Sequence, residues 1–183
     1  MIVLFDMDDV LCDHEGDFLK RWRERHPDLP HIPLERRHCF KITRQYLSEC
    51  GATADLVKNI RCAPGFVAAL TPIPGALEAV REITARGHAT YLCTAPMNGN
   101  PTCASEKFEW VVRHLGQEYH DRVIITNDKT LVRGDLLIDD KPEIRGALVP
   151  TWEQVLYDFA YNRGVTGKRR ITWDNWREVL TEL

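Results

Sequence analysis

The sequence contains no apolar run that approaches the roughly 20 residues required to cross a membrane. The apolar residues 2–5 are too few for the core of a signal peptide, and no basic residue precedes them. None of the six cysteines forms a C-x-x-C pair, which disfavours a zinc site. We therefore expect a cytoplasmic protein with reduced thiols and no membrane partner.

The chain also lacks a strong charge of either sign, an internal repeat and a low-complexity tract. Its net charge is -3 with 28% charged residues, so a nucleic-acid polymer is not an expected partner. With 183 residues and 44% hydrophobic content, it is long enough for one domain with a real core and a small inserted subdomain.

Four short apolar runs each end in polar residues, as buried parallel strands do at the edge of a sheet. The runs are followed by Asp6, Thr94, Asn127 and Asp139. Helical patterns separate the runs. Glycines such as Gly87 and Gly116 end the helical segments. This alternation predicts an α/β fold, a Rossmann-like parallel sheet with helices on both faces. Its site is expected beyond the carboxyl ends of the strands.

The stretch from 14 to 70 interrupts the alternation because it has helical patterns and no clear strand. We predict that 14–70 is a small helical cap inserted after the first strand. The core then comprises residues 1–13 and 71–183.

The C-terminal tail is predicted to be mostly helical. Thr151 and Gln154 are spaced for a capping box, which indicates a helix over 151–159. A final helix is predicted over 174–182, and the short run 170–172 is expected to add an edge strand.

The carboxylates at the strand ends predict a metal site. Asp6 and Asp8 are two residues apart on an extended chain, so their side chains point the same way. Asp139 and Asp140 would approach from another strand end. Clustered carboxylates repel one another, and a divalent cation relieves the repulsion; hard oxygen ligands favour Mg²⁺.

The remaining polar groups at this edge suit a phosphate. Thr94 offers a hydroxyl, Lys129 a positive charge, and the backbone around Ala95 offers amide groups. Carboxylates also act as nucleophiles that form an aspartyl-phosphate, while a second carboxylate transfers protons. The sequence therefore favours hydrolysis of a small phosphate ester.

The order D-x-D-x-V, Thr, Lys and D-D along the chain resembles the haloacid dehalogenase-like (HAD) phosphatase superfamily. The resemblance implies that Asp6 is the nucleophile and Asp8 the general acid and base. It also implies phosphate and Mg²⁺ ligands, namely Thr94, Ala95 and Lys129 for phosphate and Asp6, Asp8, Asp139 and Asp140 for the metal.

A narrower resemblance extends over nearly the whole chain. Segments similar to the 5'(3')-deoxyribonucleotidases are 6–13, 33–37, 73–80, 93–96, 128–130, 135–140 and 174–177. The resemblance implies a deoxynucleoside monophosphate as substrate and suggests a homodimer.

The sequence departs from that family at several positions. Ala95 and Asn127 replace a usual Ser and Arg, and His14, Lys41 and Val67 stand where aromatic residues are common. Phe40 and Lys107 match the family. The substrate contacts expected from these positions are His14, Phe40, Lys41, Val67, Lys107 and Asn127.

Several alternatives remain open at this point. Phe40, Trp22 and Tyr46 suit the packed interior of the cap as well as a platform for a base, and His14 suits solvent as well as substrate. The same core would serve a phosphatase for a sugar or glycol phosphate. A phospho-accepting receiver domain uses similar groups, but it has no insert after its first strand.

Overall fold

A six-stranded, fully parallel sheet lies at the centre of the computed structural model, which describes residues 1–183. The strands are β1 (Ile2–Phe5), β2 (Ala89–Thr94), β3 (Val123–Ile125), β4 (Leu136–Asp139), β5 (Glu153–Tyr157) and β6 (Arg170–Ile171). Their order across the sheet is β3-β2-β1-β4-β5-β6. Phe5 is level with Leu92 on one side and Ile138 on the other, so the chain segments that follow β1, β2 and β4 emerge together. The predicted parallel α/β fold is confirmed.

Six α-helices accompany the sheet. They are α1 (His14–Arg25), α2 (Ile42–Glu49), α3 (Ala54–Arg61), α4 (Ala76–Ala85), α5 (Cys103–His114) and α6 (Trp176–Val179). None combines the length and the apolar character that a membrane span requires.

The two faces of the sheet are covered differently. Val3 and Phe5 of β1 point into a cluster of 37 buried residues, to which α4, α5 and α6 also contribute. Leu4 points the other way, into a cluster of four buried residues that no α-helix joins. The α-helices that pack on the sheet therefore contribute to the larger cluster. The connection between β4 and β5 contains Pro142 and Pro150 and forms no helix.

The segment between residues 14 and 61 contains three α-helices and a short 3₁₀ turn, and no strand. The chain leaves and re-enters the sheet region at one neck, where Asp13 N–H donates to Thr71 O at 2.8 Å and Ile73 N–H donates to Leu11 O at 2.9 Å. Phe18 and Trp22 of α1 belong to the same 37-residue cluster as β1, so this segment and the sheet share one core. The exact boundaries of the cap stay a prediction.

The tail differs from its prediction. Residues 153–157 form β5 between β4 and β6, where a helix was expected over 151–159. Thr151 does not cap a helix, because its hydroxyl accepts from Gly134 N–H and donates to Gly134 O. The final helix is shorter than the predicted 174–182, since α6 covers only Trp176–Val179. The edge strand is confirmed as β6.

Candidate active site

Three carboxylates meet where β1 and β4 end. Asp6 follows β1, Asp139 is the last residue of β4, and Asp140 comes next. Carboxylate oxygens of these three residues all lie within 4.8 Å of one another. Burial raises the pKa of Asp140 well above its usual range, and the charges of Asp139 and Asp6 raise it further. Such a group of acids is stabilised by added positive charge.

Lys129 supplies part of that charge. Its Nζ lies 2.5 Å from Asp139 Oδ2 and 2.9 Å from Asp6 Oδ1. Burial alone would lower the pKa of Lys129, but the carboxylates of Asp139 and Asp6 outweigh it and raise that pKa above its usual value. Lys129 Nζ is close to Asp6 Oδ1 without hydrogen-bond geometry, so this buried oxygen has no donor. The hard oxygen donors and this unsatisfied oxygen fit a divalent cation such as Mg²⁺.

Asp8 lies apart from the three clustered acids. Its Oδ2 accepts a hydrogen bond from Lys107 Nζ at 3.0 Å, and the same ammonium donates to Thr94 Oγ1 at 2.6 Å. Burial would raise the pKa of Asp8, but Lys107 and then His14 outweigh it and lower that pKa to about 2. Asp8 is therefore a carboxylate in this structure, and its side chain faces Lys107 instead of the metal cluster.

Thr94 and Lys107 lie beneath the site. Both are fully buried, and neither side chain lines the cavity above. Thr94 accepts from Lys107, which leaves its own hydroxyl proton free to donate. Lys107 was expected to contact substrate; in the structure it contacts Asp8 and Thr94.

A cavity of about 700 Å³ opens above these groups. It is lined by most of the residues proposed from the sequence, namely Asp6, Asp8, His14, Phe40, Lys41, Ala95, Asn127, Lys129, Asp139 and Asp140. The structure does not bring Val67 to it. Val67 is fully buried in the large core cluster, and its N–H donates to Glu106 of α5, which holds that turn against the helix.

Phe40 and His14 take different positions on the cavity wall. Phe40 is 39% exposed and packs edge to face against Tyr161, with ring centroids 5.7 Å apart. It is thus a wall residue, whereas Trp22 and Tyr46 are core. His14 is 3% exposed, which excludes a solvent-facing position. Burial and then Arg61, whose Nε donates to His14 Nε2, lower the pKa of His14 to about 3, so the ring is neutral at pH 7.

A buried ion pair that the sequence reasoning missed supports the wall near Phe40. Arg37 donates through Nε and Nη2 to the two carboxylate oxygens of Glu15, both at 2.7 Å. It also donates to Gln45 Oε1 at 2.8 Å and to Cys39 O at 2.9 Å. These contacts fix the backbone directly before Phe40. Arg37 lies in segment 33–37, which resembles the family, and this resemblance was the one feature of the sequence that pointed to Arg37.

Other residues of the site were also not predicted. Asp9 adopts a left-handed φ of 57° and accepts from Glu15 N–H at 2.8 Å, which ties β1's loop to α1. Tyr161 donates its hydroxyl to Asp140. Lys107 was predicted as a substrate contact from its match to the family, and the structure places it on the buried face of α5 beside Glu106 and Trp110.

Comparison with known proteins gives a consistent assignment. The family described as 5' nucleotidase, deoxy (pyrimidine), cytosolic type C protein (NT5C) matches residues 1–183. A Bordetella pertussis protein with a provisional 5'(3')-deoxyribonucleotidase name is 46% identical over 180 residues, which cover 98% of this chain and 95% of that protein. The human cytosolic-type 5'(3')-deoxyribonucleotidase is 45% identical over 185 residues, with 97% and 92% covered.

A solved structure supports the fold independently. The HAD family hydrolase from Deinococcus radiodurans R1, solved with bound phosphate and sodium, has a TM-score of 0.62 at 17% identity. The match covers 99% of this chain and 95% of that chain, and at this identity it establishes the fold alone. The chain belongs to the NT5C family of 5' nucleotidases, which are phosphoric monoester hydrolases built on the HAD fold.

Proposed function

We propose that the protein is a Mg²⁺-dependent 5'(3')-deoxyribonucleotidase that forms an aspartyl-phosphate on Asp6. One observation carries the proposal: Asp6 lies at the floor of a 700 Å³ cavity, beside the Lys129 ammonium and within 4.8 Å of Asp139 and Asp140. A nucleophile, a cation for the phosphate and a set of metal ligands thus converge where one phosphate group fits.

Mg²⁺ would be held by Asp6, Asp139 and Asp140, with Asp8 contributing through its backbone carbonyl as the superfamily resemblance implies. When bound, the ion neutralises charge on the transferring phosphoryl group. Lys129 complements this from the side of Asp139. Thr94, which the superfamily resemblance assigns to the phosphate, lies beneath the cavity, where its hydroxyl accepts a hydrogen bond from Lys107.

The residues of the site would divide the reaction into two steps. A carboxylate oxygen of Asp6 attacks phosphorus, the bond from phosphorus to the ester oxygen breaks, and Asp8 gives a proton to the departing nucleoside. Asp8 then takes a proton from water, whose oxygen attacks phosphorus. The bond from phosphorus to the Asp6 oxygen breaks, so inorganic phosphate leaves and the Asp6 carboxylate is restored. The dianionic phosphate opposes the effect of Lys107 and favours the protonated Asp8 that the first step needs.

The cavity wall supports a nucleotide as substrate. Phe40 presents part of its ring to the cavity, and a flat aromatic wall suits a base. The cytosolic-type human relative supports a cytoplasmic location. The family resemblance supports a homodimer, which light scattering of the purified protein would test.

A panel of substrates tests the proposal. Purified protein with Mg²⁺ is expected to release phosphate from deoxynucleoside monophosphates faster than from ribonucleotides or sugar phosphates. EDTA and Asp6→Asn are each expected to abolish release. Undiminished turnover by Asp6→Asn would refute the nucleophile assignment. Strong turnover of sugar or glycol phosphates with none of nucleotides would favour the alternative phosphatase instead.

A further inference from the structure

Four cationic side chains on the cavity wall have no carboxylate partner. Lys41, Arg44, Arg61 and Lys141 line the cavity, and none of them takes part in an ion pair. Arg145 lines the same cavity but is neutralised by Glu143 at 2.8 Å. The four side chains therefore have no carboxylate oxygen within 4.0 Å of their nitrogen atoms.

Four of the six acids that line the cavity are paired with other cations. Asp8 pairs with Lys107, Asp6 and Asp139 pair with Lys129, and Glu15 pairs with Arg37. Asp140 accepts a hydrogen bond from Tyr161 and Asp9 accepts one from Glu15 N–H, so these two acids have neutral partners. The cations outside any ion pair, here called the free cations, are the wall residues Lys41, Arg44, Arg61 and Lys141.

The free cations come from separate parts of the chain, and two of them lie near Phe40. Lys41 directly follows Phe40, Arg44 is in the first turn of α2, and Arg61 ends α3. Lys141 comes from the loop after β4, and its Nζ lies 5.9 Å from the centroid of the Phe40 ring. A ligand that stacks on Phe40 would thus lie beside Lys41 and Lys141.

Like charges that share a cavity repel one another, and an anionic ligand relieves that repulsion. The reacting phosphate already has Lys129 at the floor. We propose that the wall cations bind a second anionic group of the substrate, and that nucleoside bisphosphates are the substrate class. This inference rests on the proposed nucleotidase function. Hydrolysis would consume one water and release inorganic phosphate and a nucleoside monophosphate.

Deoxyadenosine 3',5'-bisphosphate, compared with the 5'- and 3'-monophosphates of deoxyadenosine, tests the proposal. With Mg²⁺ present, kcat/KM is expected to be about tenfold higher for the bisphosphate, the size of one charge-assisted contact. The higher kcat/KM is expected to come from a lower KM, with little change in kcat, because the second anion binds away from the reacting atoms.

Substitutions of the wall cations test which side chains cause the preference for the bisphosphate. Lys41→Gln and Lys141→Gln are each expected to reduce kcat/KM for the bisphosphate by about tenfold, and for the monophosphates by a clearly smaller factor. Lys20→Gln is the matched control, because Lys20 is exposed on α1 and does not line the cavity. It is expected to preserve the preference for the bisphosphate.

Two results would overturn the inference and leave the nucleotidase proposal intact. One is equal kcat/KM for the bisphosphate and the monophosphates. The other is an equal loss for both in Lys41→Gln and Lys141→Gln, which would mean that the cations only steer any phosphate toward the floor. If no nucleotide is hydrolysed, the proposed function fails. Calorimetry with Asp6→Asn then decides the inference, since the bisphosphate must bind about tenfold tighter than the monophosphates.

Discussion

Lys107 Nζ binds Asp8 Oδ2 and Thr94 Oγ1 at the same time, although Asp8 follows β1 and Thr94 ends β2. The lysine is fully buried, so its charge is compensated mainly by Asp8. It therefore fixes the proposed proton donor relative to a proposed phosphate ligand. This makes it a positioning residue, which touches neither the clustered acids nor the cavity.

Substitution of Lys107 tests whether this residue positions Asp8 for catalysis or only stabilises the fold. Lys107→Met is expected to lower kcat by about 100-fold, within the range of general acid–base catalysis, with a smaller change in KM. Rapid-mixing or steady-state assays with a deoxynucleoside monophosphate measure this. Lys58→Met, at an exposed position outside α5, is the control. A loss confined to thermal stability, with kcat preserved in the folded fraction, would contradict the positioning role.

Asp140 is expected to govern affinity for Mg²⁺. Asp140→Asn removes a negative charge from the three-carboxylate cluster while keeping the shape of the side chain. The Mg²⁺ concentration that gives half-maximal activity is expected to rise by roughly tenfold or more. Calorimetric titration of Mg²⁺ into the protein provides a reading that does not depend on turnover. An unchanged Mg²⁺ requirement would remove Asp140 from the metal site.

His14 is expected to make the protein sensitive to acid. Its folded-state pKa is lowered to about 3 by burial and by Arg61, so between pH 6.5 and 3 only the unfolded chain binds a proton there. The stability that the neutral, buried His14 contributes is fully present above pH 6.5 and is lost as the pH falls below that value. Between pH 7 and 5 the wild-type protein should lose up to about 2 kcal/mol more than His14→Gln. Urea unfolding at both pH values measures the difference; equal losses would contradict a neutral His14.

Arg37 is expected to stabilise the fold and the cavity wall together. Arg37→Met leaves the buried Glu15 without its cation, and removal of one partner of a buried pair costs about 3–5 kcal/mol. The backbone before Phe40 also loses a hydrogen bond from Arg37 to Cys39 O, so KM for nucleotides is expected to rise. Arg36→Met is the control, because Arg36 is exposed. Thermal unfolding and steady-state kinetics distinguish the two effects.

The floor of the site could be predicted because its residues come from strand ends. Asp6, Thr94 and Asp139 each follow or end an apolar run, and the alignment of parallel strands brings such ends to one edge. No long-range information was needed. By contrast, Lys107 and Asp8 are 99 residues apart, and only the packing of α5 under the sheet brings them together.

The tail could not be predicted because its local pattern fits two structures. Trp152, Val155 and Leu156 are spaced as on one face of a helix, but they also suit a strand buried between neighbours. Pairing with β4 and β6 decides the outcome, and that pairing depends on residues far along the chain. Val67 is a similar case, since its contact with α5 through Glu106 is invisible in the local sequence.

The core shared between β1 and α1 has a consequence for how the chain folds. Phe18 and Trp22 pack into the same cluster as Val3 and Phe5, so neither part completes its interior without the other. We therefore expect the inserted helices to belong to one cooperative unit that unfolds in a single transition. Substitution of an aromatic residue of the insert is then expected to lower the melting temperature of the whole molecule, including the distant edge strand.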